Sequence, residues 1–212
     1  MPLRNFPKRQ SGFTLIEIAI VLVIIGLLLG GILKGQELIN SARVKNLATD
    51  FRNIPLFIYG YQDKFRALPG DDSAAVAHVG ATGHGDGNGV IDGNWDSTTA
   101  TDESYLFWQH VRLAGLAPGS TDTAATDYPP VNALGGRIGI QSAKPFAGIN
   151  GTYFICSSGI LGKYAKQLDT QLDDGNTETG SMMAGTSTGT AVAPTPAASF
   201  SDSATYIVCM GI

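Results

Sequence analysis

At 212 residues the chain is long enough for one domain of ordinary size and an attached element. Only 15% of residues are charged, the formal net charge is −4 and glycine occurs 27 times, so an electrostatic nucleic-acid surface is not expected. The two cysteines, Cys156 and Cys209, lie far apart with no C-x-x-C pair, which excludes the usual zinc and dithiol redox motifs.

The first twelve residues, MPLRNFPKRQSG, hold Arg4, Lys8 and Arg9 and no acid; the remainder carries 11 basic against 18 acidic residues. Basic residues ahead of an apolar segment keep that end in the cytoplasm and send the downstream chain across. The apolar segment is GFTLIEIAIVLVIIGLLLGGI, residues 12–32. From Phe13 to Leu33 there are 21 residues, about 31 Å as a helix, which is one bilayer core. A secretory signal peptide would be shorter and followed by a small-residue cleavage site. That site is missing after the run, and the only processing-like feature, Gly12, precedes it. A cut there would keep the apolar helix on the mature chain and create a free amine at Phe13. Glu17 is the single carboxylate in the run. A charge at the centre of a membrane helix costs about 2.5–3.5 kcal/mol, and somewhat less near an end. The amine of its own chain lies a full turn away in poor geometry, whereas the amine of a neighbouring copy can approach. Glu17 therefore reads as a docking group for self-assembly in the membrane.

The stretch Gly12-Phe13-Thr14-Leu15-Ile16-Glu17, placed ahead of an apolar run, resembles the processing site of type IV pilins and the related pseudopilins. The resemblance is strongest over residues 8–45. RALPGDD (66–72) and LDTQLDDGNTETG (168–180) also resemble stretches common in pilin-like proteins. It implies that a prepilin peptidase cuts after Gly12 and N-methylates Phe13, and that Glu17 pairs with the N-terminus of a neighbouring subunit. The partners implied are further subunits, that peptidase and an inner-membrane assembly platform. The precursor is expected in the inner membrane with its head on the periplasmic side, and the assembled form in an extracellular pilus or a periplasmic pseudopilus. The chain divides accordingly into a leader (1–12), a membrane and assembly helix (13–33), an amphipathic helix (34–68) and a globular head (69–212).

Past the span, Val44, Leu47, Phe51, Ile54, Ile58, Tyr61, Phe65 and Leu68 recur at alternating steps of three and four, one continuous apolar stripe. Pro55 inside the pattern removes a backbone hydrogen bond and is expected to bend the helix, and Pro69-Gly70 to end it. Residues 70–100 read as loop. A short helix is expected around ESYLFWQHVRLAGLAPG (103–119), and strands at RIGIQ (137–141), TYFICSS (152–158) and ATYIVCM (204–210). From Asn176 to Thr205 core formers are nearly absent, which predicts a long exposed loop. In an oxidising compartment Cys156 and Cys209 are expected to pair, closing a 54-residue loop, a link worth about 4 kcal/mol in the chain-entropy model. The fold class is α+β: a long N-terminal helix packed on a small antiparallel sheet with a disulfide-closed C-terminal loop, in agreement with the fold the resemblance implies.

The loop GDGNGVIDGNWDS places Asp86, Asn88, Asp92, Asn94 and Asp96 at alternating positions among glycines, and hard oxygen ligands on a flexible turn suit calcium. From Asp92 the pattern D-x-N-x-D with Glu103 at the twelfth place mimics an EF-hand loop, with Ser97 where glycine is expected. Asp169, Asp173 and Asp174 form a second, weaker acidic turn. Enzyme signals are poor. Gly185-Thr-Ser187-Thr-Gly189 matches G-x-S-x-G in low-complexity sequence, GHGDGNG (83–89) lacks the lysine of a phosphate loop, and His78, His84 and His110 have no metal-ligand spacing. No catalysis and no required cofactor are expected. The reading is a structural subunit of a pilus-like filament. The alternatives are a pseudopilin of a type II secretion system, and a minor pilin or adhesin that binds a surface.

Overall fold

The computed structural model describes residues 12–186 and 192–212, which form two compact units, Met1–Ser41 and Ala42–Ile212. Helix α1, Leu15–Phe65, supplies the regular part of the first unit and opens the second. In the first unit every apolar side chain from Phe13 to Leu33 is exposed, and the helix is long and apolar enough to cross a membrane. A continuous apolar surface of this size is unstable in water and calls for lipid or other protein.

In the second unit α1 buries Val44, Leu47, Ala48, Phe51, Ile54, Ile58 and Tyr61, so the three-and-four spacing becomes one core-facing stripe. Pro55 lies within α1 without ending it. The helix stops at Phe65, short of the expected Pro69-Gly70 turn. Arg66 takes a left-handed conformation (φ 56°) and its N–H bonds to the Gln62 carbonyl at 2.9 Å.

The sheet has four antiparallel strands in the order β1-β2-β4-β3: β1 Ile138–Gln141, β2 Phe154–Leu161, β3 Met182–Gly185 and β4 Thr205–Gly211. Side chains alternate across it. Ile138, Ile140, Ile155, Ile160, Val208 and Tyr206 pack with the α1 stripe, whereas Phe154, Cys156, Met183 and Cys209 face a smaller cluster with Trp95, Phe146 and Ile149. Cys156 and Cys209 are register partners on β2 and β4 and form a disulfide. The link is a cross-strand staple as well as a loop closure.

Three short α-helices complete the described part of the head: α2 Ala75–Val79, α3 Glu103–Leu113 and α4 Gly162–Leu172. The expected loop 70–100 thus holds α2, and the expectation of an exposed loop over 176–205 is corrected. Met182–Gly185 pairs with β4 and is buried along its length, and Phe200 is buried, stacked on Tyr206 at 4.0 Å between ring centroids. Helix α4 follows β2 directly. It buries Tyr164, Ala165, Leu168 and Asp169, and its first two N–H groups bond to the carbonyls of Ala204 and Asp202 in place of a side-chain cap. Gly162 is required there, because a Cβ would run into the Ser201 carbonyl.

Candidate functional site

Helix α1 begins with a closed pair of side chains. Thr14, just before the first helical residue, donates its backbone N–H and its hydroxyl to Glu17 Oε2 at 2.8 and 2.7 Å. The Glu17 N–H returns a bond to Thr14 Oγ1 at 3.3 Å. This is a capping box, in which threonine at the N-cap and glutamate three residues on satisfy each other's orphan donors. It also places a negative charge at the positive end of the helix. Both bonds fall on Oε2, and Oε1 accepts none among the described residues. One carboxylate oxygen is thus committed to the helix start and the other is open to an external cation. The signal is present in the sequence as Thr14-x-x-Glu17, the pattern of a capping box. Gly12 and Phe13 lie just outside the helix and Phe13 is 85% exposed, so the bond between them stands clear of the regular structure.

In the head, the segment after α1 turns two carboxylates inward. Asp71 is buried and accepts the N–H groups of Gly87 and Asn88 on Oδ1 and of Gly89 on Oδ2, at 2.7, 3.0 and 2.8 Å. Gly87 and Gly89 have φ of 78° and 86°, the left-handed conformation that lets successive N–H groups converge on one anion. The glycines that imitate a phosphate loop therefore enclose a carboxylate of the chain itself. Glu103, at the start of α3, accepts from Asp86 and Asp92 N–H at 3.0 and 2.9 Å. Burial raises its carboxyl above the ordinary range, opposed by these two N–H groups and reinforced by the charges of Asp71 and Asp86.

Of the five residues in the Asx-rich loop, only Asp86 joins other carboxylates, with Asp71 and Glu103. Asn88 bonds to Asp86 and to the Val90 N–H. Asp92, Asn94 and Asp96 are exposed and use backbone groups. The Asp92 and Asn94 carbonyls accept from Ser104, and the Asp96 carbonyl accepts from Arg137. The spacing of the Asx-rich loop does not point to Asp71; its sequence signal is the Pro-Gly-Asp-Asp turn.

Asp72 Oδ2 accepts the Tyr61 hydroxyl at 2.7 Å and lies 2.7 Å from His78 Nδ1, while Oδ1 accepts the Ala74 N–H. Burial alone would raise this carboxyl; the bonds from His78, Tyr61 and Ala74, with the His78 charge, carry it below its ordinary value. His110 is fully buried, accepts the Gly70 N–H on Nδ1 at 3.0 Å and has Nε2 3.2 Å from the Gly83 carbonyl. The three histidines do not converge on one another. Of the G-x-S-x-G match, Gly185 ends β3, while Ser187 and Gly189 lie outside the described residues.

Residues 7–33 match the family model of the prokaryotic N-terminal methylation motif, the signature of type IV pilins and pseudopilins. No curated protein and no solved structure matches the chain.

Proposed function

From the methylation signature at residues 7–33, we propose that this chain is the structural subunit of a type IV pilus-like filament. It is stored in the inner membrane with the head on the periplasmic side, cut after Gly12 by a prepilin peptidase, methylated on Phe13 and polymerised through α1. The observation that carries the reading is the N-terminus itself. The apolar stretch from Phe13 to Leu33 is exposed throughout and carries one carboxylate near its start, and that carboxylate has one oxygen held by Thr14 and one open. Cleavage after Gly12 leaves Thr14 and Glu17 untouched, so the capping box survives into the mature subunit and holds Glu17 at the helix start. The Phe13 amine of a neighbouring subunit then meets Oε1 in lipid, where few other partners exist for either charge.

Two glutamate variants separate capping from docking. Glu17→Gln keeps an oxygen for the Thr14 N–H and removes the charge; Glu17→Leu removes both and so also removes the helix cap. Both are expected to be inserted and cleaved, and sheared-filament yield is expected to fall at least about tenfold in each, since breaking a desolvated ion pair strands its partner. Gly12→Val is expected to accumulate as uncut precursor. Intact-mass analysis beside filament yield reads all three. A mature N-terminus other than methylated Phe13 contradicts the processing step, and full filament yield from Glu17→Gln contradicts the docking role.

A further inference from the structure

A cavity of about 180 Å³ opens on the head where α1, α3 and the segment entering β1 meet. Its wall takes Asp50 and Phe57 from α1, Trp108 and Arg112 from α3 and Ile138 from the start of β1, and the exposed Val131 stands at its rim. Most of the lining is apolar, and it carries one anionic and one cationic side chain.

Neither charge is neutralised by the fold. Arg112 is 7% exposed; its Nε donates to the Pro118 carbonyl at 3.1 Å, and Nη1 to the carbonyls of Ser120 and Tyr128 at 2.9 and 2.7 Å. Its guanidinium lies 5.6 and 5.0 Å from the ring centroids of Trp108 and Tyr128. Carbonyls and ring faces solvate a cation without cancelling its charge. Asp50 is half-buried, and among the described residues neither Asp50 nor Arg112 enters a salt bridge. Burial is the first influence on both. It raises the Asp50 carboxyl, against the Ala133 N–H, and lowers the Arg112 guanidinium, against Tyr128 and Asp127. Each charge has lost water and would gain from an opposite charge brought into the cavity.

We infer that this cavity binds a free apolar amino acid, its ammonium toward Asp50, its carboxylate toward Arg112 and its side chain against Phe57, Trp108 and Ile138. Charge complementarity selects a zwitterion, because a simple anion leaves Asp50 uncompensated and a simple cation leaves Arg112 so. Nε and Nη1 of Arg112 are committed to carbonyls, so Nη2 is the nitrogen left for a carboxylate. The volume lies below the roughly 300–1,000 Å³ of pockets that take drug-sized ligands, which limits the occupant to about the size of leucine. Arg112 also ties down the carbonyls of Pro118, Ser120 and Tyr128, so the carboxylate would share its anchor with that loop.

The test titrates the full chain in detergent with L-leucine, read by calorimetry and by tryptophan emission, to which Trp108 on the cavity wall contributes. Saturable binding of one leucine per chain is expected. N-acetyl-L-leucine, which lacks the ammonium, and L-leucinamide, which lacks the carboxylate, should each bind at least about tenfold more weakly. Asp50→Asn should weaken leucine by a similar factor, and Val131→Trp should block it at the rim. The two leucine derivatives are compared on the unaltered chain, so the test stands even if a variant folds poorly. Absence of saturable leucine binding up to about 10 mM overturns the proposal. So does equal binding of N-acetyl-L-leucine, the mark of a site for peptide C-termini, or unchanged leucine binding in a folded Asp50→Asn.

Discussion

Asp71 and Glu17 are carboxylates held by N–H groups, in surroundings that assign them different roles. Asp71 takes three backbone donors and organises residues 84–92 around itself, so its charge is consumed by the fold. Glu17 spends one oxygen on Thr14 and keeps the other, so its charge remains available. His110 illustrates the same accounting for a base. Burial first, and the charge of His84, hold it below its ordinary 6.5, against the Gly83 carbonyl and the charge of Asp72. The folded chain therefore keeps His110 neutral where the unfolded chain would protonate it. Its contribution to stability is complete above about pH 6.5 and is lost as pH falls below that value toward the depressed folded pKa. Glutamine can accept from Gly70 and donate to Gly83 without titrating, so His110→Gln is expected to flatten this part of the acid limb. Urea unfolding of both proteins from about pH 5 to about pH 7.5, the range in which histidine titrates, measures it. Parallel curves would refute the assignment.

At the scale of elements, α1 and strands β1, β2 and β4 were legible because each carries its own pattern: apolar steps of three and four, or short β-branched and aromatic runs. Helix α4 and strand β3 were not. The four residues Met182–Gly185 lack β-branched side chains, and only their pairing with β4 makes them a strand. Helix α4 starts at a glycine with no capping side chain, and neighbouring backbone carbonyls take over that function. The Cys156–Cys209 link joins register partners on adjacent strands across a separation of 53 residues. Replacing both by alanine should leave the sheet pairing intact and cost about 4 kcal/mol in the chain-entropy model. Denaturant unfolding with and without the bond reads this directly, and a loss below about 1 kcal/mol would show that the unfolded state gains little freedom.

At the scale of the molecule, the two units have opposite solvent requirements. The first exposes every apolar side chain from Phe13 to Leu33, and the second has its own buried clusters, one including Val44 on α1 and the other Cys209 on β4. A chain of residues 42–212 is therefore expected to be soluble without detergent, monomeric, oxidised at Cys156–Cys209 and folded to the same secondary structure. Sedimentation and circular dichroism test this, and aggregation of the shortened chain would show that the head depends on residues before Ala42. Membrane association should go with residues 13–33 alone, read by flotation of the full and shortened chains with vesicles.

The N-terminal features were legible in the sequence itself. The matched motif, the Thr14-x-x-Glu17 pair and the apolar run rest on local spacing and on transfer from water to an apolar surrounding, and neither needs a distant part of the chain. Tertiary structure alone decided which carboxylates lose their water and what replaces it. Asp71 and Asp169 both belong to acidic stretches that look alike as sequence. Long-range packing surrounds the first with N–H donors from a loop 16 to 18 residues away and leaves one oxygen of the second buried without any. Desolvation depends on the three-dimensional neighbours of a group, and a linear sequence does not contain them.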